Sequence, residues 1–529
     1  MISKESLREF MSRSLDSATW MKKLPEDVID KEIRSFKVRP KFKGHPPWLH
    51  QKVCFLLGCS YPEYLFLLDM GLGKSRVLLD LITQRQREGR FKRAIITVPR
   101  LVNLGSWEEA ILEYSELEPN IVSGSIEEKW EALAHPKGDI TVIDYPGLQH
   151  ALAGRRTGNK MSEKAQRAGK RFEYAKDSQK IQQVASQYSF FGMDESHKSK
   201  NKDALRFKLL KALTANMPDR YATTGTLFGR NPEDIWAQFY LIDHGETFGD
   251  TLGMFRAAFF SEKDHHWKGK EFTFNKGMTR ELYRFLHNRS IRYSEDECLD
   301  LPQRRNITIS IHFTVEQREH YMRAVEGLIN AKGQLKELDS NYLRMRQICA
   351  GFLEWREDDE KCRVIFRNNP KLDALERLVE ESGDSKLVVS HEYTQSGQMI
   401  TDRLTAMGVG FEWLYGKSKD PMNSVRRFLS DPKKRVFVMN SESGGTGTDG
   451  LQKQARYLVF YESPASPITR QQVLKRVHRP GQEREPVIYD LVMERSIDDR
   501  ILSFVKEGQD LHSAVVDGRL DPKSFSLLR

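Results

Sequence analysis

The stretch YLFLLDMGLGKSRVLLDLITQ, residues 64–84, decides the architecture. YLFLLD (64–69) is an apolar run closed by one acid, without the alternation of a half-solvated strand. It reads as a strand buried on both faces. Met70, Gly71, Leu72, Gly73, Lys74 and Ser75 follow at once, and RVLLDLITQ then continues at helical period. A buried strand, a glycine turn and a helix opening on Lys-Ser make one βα unit with an anion site at the turn. The glycines let backbone N–H groups face a phosphate, Lys74 places a point charge on the β/γ oxygens, and the Ser75 hydroxyl can ligate magnesium. Only the first position of the GxxxxGKS pattern departs, where Leu68 stands.

The same kind of run recurs on either side. Upstream of residue 246 come AIITVP (94–99), DITVIDY (139–145), SFFGMDE (189–195) and RYATTGT (220–226). After residue 370 come KLVVSH (386–391), FEWLYG (411–416), RVFVMN (435–440), RYLVFYE (456–462) and VIYDLV (487–492). Apolar strands alternating with helical segments predict an α/β fold of two lobes, each a parallel sheet covered by helices. The expected boundaries are a basic arm or small helical cap over 1–45, a first lobe over 46–245, a mainly helical insertion over 246–370 and a second lobe over 371–529. Inside the first lobe, residues 151–180 carry nine Lys/Arg against three Asp/Glu. That stretch reads either as a solvated surface helix or as a basic arm on duplex phosphates through Arg155, Arg156, Lys170 and Arg171.

Composition narrows the class. The 529 residues hold 84 Lys/Arg against 74 Asp/Glu, a net charge of +10 that favours a polyanionic partner. No apolar run is long enough to cross a membrane, and the first twenty residues lack the apolar core of a signal peptide. Five cysteines, with no C-x-x-C pair, argue against disulfides and structural zinc and for a reducing compartment. The expected location is cytoplasmic or nucleoid-associated, the nucleus remaining open.

Two further strings carry chemistry. At the end of SFFGMDE, Asp194 is placed to hold hydrated magnesium and Glu195 to orient and deprotonate an attacking water. In QQVLKRVHRPGQ (471–482), Arg476 and Arg479 are three apart, on one face of a helix, as needed to neutralise a departing γ-phosphate. His478 between them has no partner at metal-ligand spacing and reads as a hydrogen-bonded helix histidine.

Taken together, these strings resemble the switch/sucrose-non-fermenting (Snf-type) family of duplex-DNA translocases within the superfamily two helicase-like motors. The resemblance rests on MGLGKS (70–75), DESH (194–197), TTGT (223–226) followed by NPEDIWAQFYLID (231–243), SESGGTGTDGL (441–451) and QQVLKRVHRPGQ. Weaker likenesses, ECLDLP (297–302) and LRMRQICAGF (343–352), are similar to the compact bacterial and phage members. Leu227 stands where the family writes proline after TGT, and SPASP (463–467) replaces its Trp-Asn-Pro.

The resemblance implies two RecA-like lobes and further roles. Gln51 would read adenine, and Gln472 would join the ATP site. Segments 98–107 and 144–148 would touch one DNA strand. Thr224 and Thr226 would couple nucleotide state to DNA grip, while Gly445 and Gly447 would contact DNA or nucleotide. Residues 70–75, with Gln51 and Gln472, would bind ATP; Ser75 and Asp194 would hold magnesium; Lys74, Glu195, Arg476 and Arg479 would be catalytic. The implied activity is a DNA-dependent ATPase, a monomeric motor moving on double-stranded DNA without base specificity and acting on DNA or DNA-bound proteins. Its alternatives are a strand-separating or branch-migrating DNA helicase, an RNA helicase, and a non-hydrolysing ATP-sensing scaffold. Glu195, Arg476 and Arg479 speak against the last.

Overall fold

A computed structural model describes residues 4–507 apart from 14, 16, 102, 157–161, 163–172, 226–231, 266–268, 300–301, 331–334, 358–359, 417–420 and 445–449. The chain divides into two compact units, Met1–Cys298 and Leu299–Arg529.

The first unit is built on a seven-stranded sheet. Its strands are β1 (Glu63–Leu68), β2 (Ala94–Val98), β3 (Pro119–Ile121), β4 (Ile140–Asp144), β5 (Phe190–Asp194), β6 (Asp219–Thr224) and β7 (Ser290–Tyr293). They lie in the order β7-β1-β6-β5-β2-β4-β3, and every pairing is parallel. Strands β2 and β4 are buried at every residue, which is why their sequences are mostly apolar. Helices α1 (Leu49–Ser60), α2 (Lys74–Arg87) and α3 (Asn103–Tyr114) lead into β1 and follow β1 and β2 respectively. Because β6 lies between β1 and β5, the carboxyl ends of these three strands lie side by side, and there the site forms.

The described residues of 1–45, expected as a basic arm or small helical cap, include the helices Lys4–Ser12 and Glu26–Arg34 and pack into this unit. Phe10 joins its core and stacks on Phe285 at 5.1 Å, and the Val38 carbonyl accepts a bond from Gln84 of α2. Lys22 donates to the Arg292 carbonyl at 2.7 Å.

The second unit carries a six-stranded sheet of β8 (Arg305–Ile311), β9 (Lys386–His391), β10 (Gly410–Leu414), β11 (Lys434–Asn440), β12 (Ala455–Phe460) and β13 (Val487–Met493). The order is β8-β13-β12-β9-β11-β10, again parallel throughout. Among its helices, α4 (Pro370–Glu381), α5 (Pro467–Leu474) and α6 (Ile497–Lys506) matter below. Lys371 at the start of α4 is fully buried and pairs with Asp498 at the start of α6, tying the two together.

All ten strands expected from apolar runs are present. The stretch 246–370, expected as a mainly helical insertion, is divided between the units. Its first part supplies edge strand β7 and a hairpin of Phe260–His265 with Gly269–Phe274. Its second part supplies edge strand β8, helices Val315–Asn330 and Leu335–Ala350, and a hairpin of Phe352–Glu357 with Glu360–Ile365. The reason is composition: β8 is mostly exposed or half-buried, so RNITISI carries no apolar run to announce it.

Candidate nucleotide site

The glycine turn after β1 is held in a left-handed conformation at Gly71 (φ 90°) and Gly73 (φ 76°), which only glycine adopts without strain. A Cβ on Gly73 would lie 2.2 Å from Gln51 Nε2. Leu72 is buried between them, and its carbonyl accepts from His50 Nε2 at 2.9 Å and Gln51 Nε2 at 3.1 Å. Gln51 Oε1 accepts from the Trp48 N–H at 2.9 Å, so one end of this amide caps α1 while the other holds the turn. Reading adenine would exchange one of these bonds. Lys74 and Ser75 open α2, where the first N–H groups of a helix have no intrahelical acceptor and favour an anion.

The acids leave β5 next door. Asp194 is the last residue of the strand, and Glu195 turns the chain with φ 50°, a left-handed conformation costly for a side chain of this kind. That turn aims the two carboxylates differently. Glu195 pairs with Lys74, and its Oε2 accepts from Thr224 Oγ1 at 3.1 Å and lies 3.3 Å from His197 Nδ1. Asp194 Oδ2 accepts from the Trp107 indole N–H at 3.1 Å, and its Oδ1 accepts from Thr223 Oγ1 at 3.2 Å. The Tyr145 hydroxyl donates to the Asp194 carbonyl at 2.9 Å, and Ser196 donates to Gln238 at 2.8 Å, fixing the strand end. Thr223 and Thr224 close β6, between the other two strands, so each touches one acid.

Electrostatics separates the pair. Burial, then the neighbouring Glu195 charge, raises the Asp194 carboxyl above the ordinary range. Burial acts the same way on Glu195, but the Lys74 charge and His197 outweigh it and hold that group well below the ordinary range. The donor set suits a magnesium nucleotide. One hydroxyl and one carboxylate are hard oxygen ligands, and this ion binds through few protein groups, with phosphates and water completing its shell. Among the described residues no group of three or more His, Cys, Asp or Glu forms a cage of its own. A second positive charge beside Asp194 would offset the cost of holding two buried carboxylates together.

Other expected residues fall as follows. Helix α5 ends at Leu474, so Arg476 and Arg479 lie not on one helix face but in the turns beyond it. The helix stops because Lys475, Arg476 and Val477 tighten into turns, and Gly481 (φ 87°) reverses the chain after Pro480. Arg476 is buried and Arg479 half-buried; Gln472 is half-buried on α5. His478 is a hydrogen-bonded histidine of this turn, its Nε2 on the Pro302 carbonyl at 3.1 Å. Gln482 donates to the Ala455 carbonyl at 3.0 Å and the Val477 carbonyl at 3.1 Å, which pins the segment to β12. Thr226, Gly445 and Gly447 lie outside the described residues.

The basic stretch 151–180 contains a pair of antiparallel strands, Ala153–Arg156 against Glu173–Lys176, between the helices Tyr145–Leu152 and Ser178–Ala185, rather than one helix. Arg155 and Arg156 lie in the first of these; Lys170 and Arg171 lie outside the described residues.

Sequence reading missed the contacts of Trp107, Thr223 and Tyr145 with Asp194 and that of His50 with the glycine turn. Trp107 was visible only as the end of VPRLVNLGSW (98–107). The usable signal was weak: α3 follows a strand that pairs with β5, but strand order is not written in the sequence.

Comparison with known proteins gives a consistent relationship. A family model described as "SNF2-related domain" matches residues 47–363. The putative ATP-dependent helicase/translocase YwqA of Bacillus subtilis is 21% identical over 501 residues, covering 91% of this chain and 50% of that protein. The CHD3-type chromatin-remodeling factor PICKLE of Arabidopsis thaliana is 24% identical over 355 residues, covering 63% of this chain and 24% of that protein. The chain thus spans a quarter to a half of the length of these two relatives. Among solved structures, the Sulfolobus solfataricus SWI2/SNF2 ATPase core in complex with dsDNA aligns over 93% of this chain and 97% of that one, with 18% identity and a TM-score of 0.39.

Proposed function

Because the chain belongs to the SNF2-related family of helicase-like ATPases, with its two α/β lobes, we propose that it hydrolyses ATP in response to double-stranded DNA and moves along the duplex. The observation that supports this best is the meeting of Lys74, Asp194 and Glu195 where β1, β6 and β5 end. ATP enters at the 70–75 turn, where its phosphates displace Glu195 as the partner of Lys74. Magnesium, held through Ser75 and Asp194, would supply charge neutralisation on the phosphates. Glu195, released from Lys74, then faces a water with an ionised carboxylate and can orient it and accept its proton. Thr224 bonds that same carboxylate, so a shift of the end of β6 reaches the base directly. Arg476 and Arg479 are the further residues that this reading makes catalytic.

Lysine and arginine contacts to phosphates carry no sequence information, so binding is non-specific and falls steeply with salt. The test is ATP turnover alone and with blunt duplex DNA, single-stranded DNA and RNA. Duplex DNA raises it by at least an order of magnitude; equal stimulation by single-stranded RNA would overturn the duplex assignment.

A further inference from the structure

Trp107 is a buried indole in the second turn of α3, and its only polar atom, Nε1, is spent on Asp194 Oδ2 at 3.1 Å. The donor on the opposite oxygen, Thr223, has one hydroxyl proton and also stands 3.3 Å from the Met193 carbonyl. Its bond to Asp194 is therefore shared, whereas the indole's is undivided. An indole N–H donates, never accepts and does not titrate in the working range of a protein. The bond consequently holds one carboxylate oxygen in place at every such pH and leaves the remaining lone pairs of the group in a set direction.

Helix α3 has its N-terminus one turn before Trp107. It starts at a turn whose Arg100 and Leu101 are exposed, with the Arg100 N–H held by Asn103 Oδ1 at 3.2 Å and the Asn103 N–H by the Arg100 carbonyl at 3.0 Å. From Asn103 to Trp107 is one helical turn, about 6 Å along the axis at 1.5 Å per residue. A helical turn is stiff, so displacement of the exposed tip moves the indole, and the indole moves the carboxylate.

We infer that Trp107 is a positioning residue that sets the metal-binding orientation of the Asp194 carboxylate and ties it to the exposed turn at Arg100 and Leu101. The inference rests on the proposed ATPase reading, which makes Asp194 a magnesium ligand. Groups that orient a ligand to a metal typically change metal affinity or activity ten- to a hundredfold when removed.

The test is Trp107→Phe, with binding of a fluorescent ADP analogue measured in saturating magnesium and in EDTA. Its companion replaces Trp107 site-specifically by 3-benzothienylalanine, which keeps the ring shape and puts sulfur where the N–H was, so that a folding defect in the phenylalanine variant does not decide the matter. The expected result is a loss of about tenfold in affinity in magnesium and less than twofold in EDTA, for both replacements. In the wild type, blunt duplex DNA changes the magnesium-dependent gain in affinity, and in the replacements it does not. An equal loss in both buffers, or no loss in either, overturns the inference and leaves a merely structural tryptophan; a wild-type gain indifferent to DNA overturns the link to the turn. Lys74→Ala separates this from the parent reading. If that variant binds the nucleotide as the wild type does, the ATP site itself is wrong; if it binds weakly while the Trp107 replacements keep the full magnesium gain, only this inference falls.

Discussion

Glu195→Gln is expected to bind ATP more tightly than the wild type. Before nucleotide arrives, Lys74 is the ionic partner of Glu195, and both side chains are largely out of solvent, 11% and 15% exposed. A phosphate can take Lys74 only by breaking that pair. At an effective dielectric constant near 20, two unit charges about 4 Å apart attract by about 4 kcal/mol. Part of this is offset by desolvation, and glutamine still offers its carbonyl to the lysine, a hydrogen bond worth about 1 kcal/mol net. The amide also removes one negative charge facing the γ-phosphate, which acts in the same direction. A net gain of about 1–2 kcal/mol remains, or roughly five- to thirtyfold in Kd. Titration calorimetry with magnesium-ATP measures it directly, because the variant lacks the base and does not turn over. Lys74→Ala is the opposite control, losing both affinity and hydrolysis. Weaker binding by Glu195→Gln than by the wild type would refute the argument that the lysine exchanges partners.

Three other outcomes follow from single features. Gly73→Ala, a left-handed position whose added methyl would meet Gln51 Nε2, should lower thermal stability by about 1–3 kcal/mol and weaken ATP binding; unchanged nucleotide affinity would deny the turn its role. Glu462, buried where β12 ends and bonded by Ser396 and the Glu392 N–H, has its carboxyl pushed up to about 7, chiefly by burial. A carboxyl raised on folding contributes stability that is complete below its unfolded value near 4.5 and is lost as pH rises through 7. Glu462→Gln should therefore gain on the wild type between pH 5 and pH 8, by roughly 2–3 kcal/mol in urea unfolding, and a parallel pH profile would contradict this. Replacing Arg155, Arg156, Lys170 and Arg171 by serine should weaken duplex binding and flatten its log–log salt slope by roughly 0.9 for each phosphate these side chains neutralise, with DNA-independent hydrolysis unchanged; an unaltered slope removes these residues from the interface.

Much of this protein was legible in one dimension. A strand buried on both faces is mostly apolar, so ten of the thirteen described strands of the two large sheets announced themselves as runs such as AIITV and KLVVSH. The phosphate turn was legible because glycine is the residue for left-handed backbone, and Gly71 and Gly73 both use it. The acid pair was legible because DE ended such a run. Polar or short edge strands escaped: RNITISI and PNI are mostly exposed or half-buried and demand no apolar run, and SIRY, buried at three of its four residues, is too short to show one. The extent of α5 was also misread, as helical spacing continues past Leu474 while the backbone has already turned.

What no local pattern carries is which strand lies beside which. Only the order β1-β6-β5-β2 brings Thr223 and Thr224 against the two acids, and only that order sets Trp107, 87 positions away in the chain, against Asp194. Sequence spells burial and backbone conformation because both act on each residue where it stands. Neighbourhood across a parallel sheet is settled by crossovers whose whole length must pack at once, so the contacts that tune the site belong to the tertiary structure.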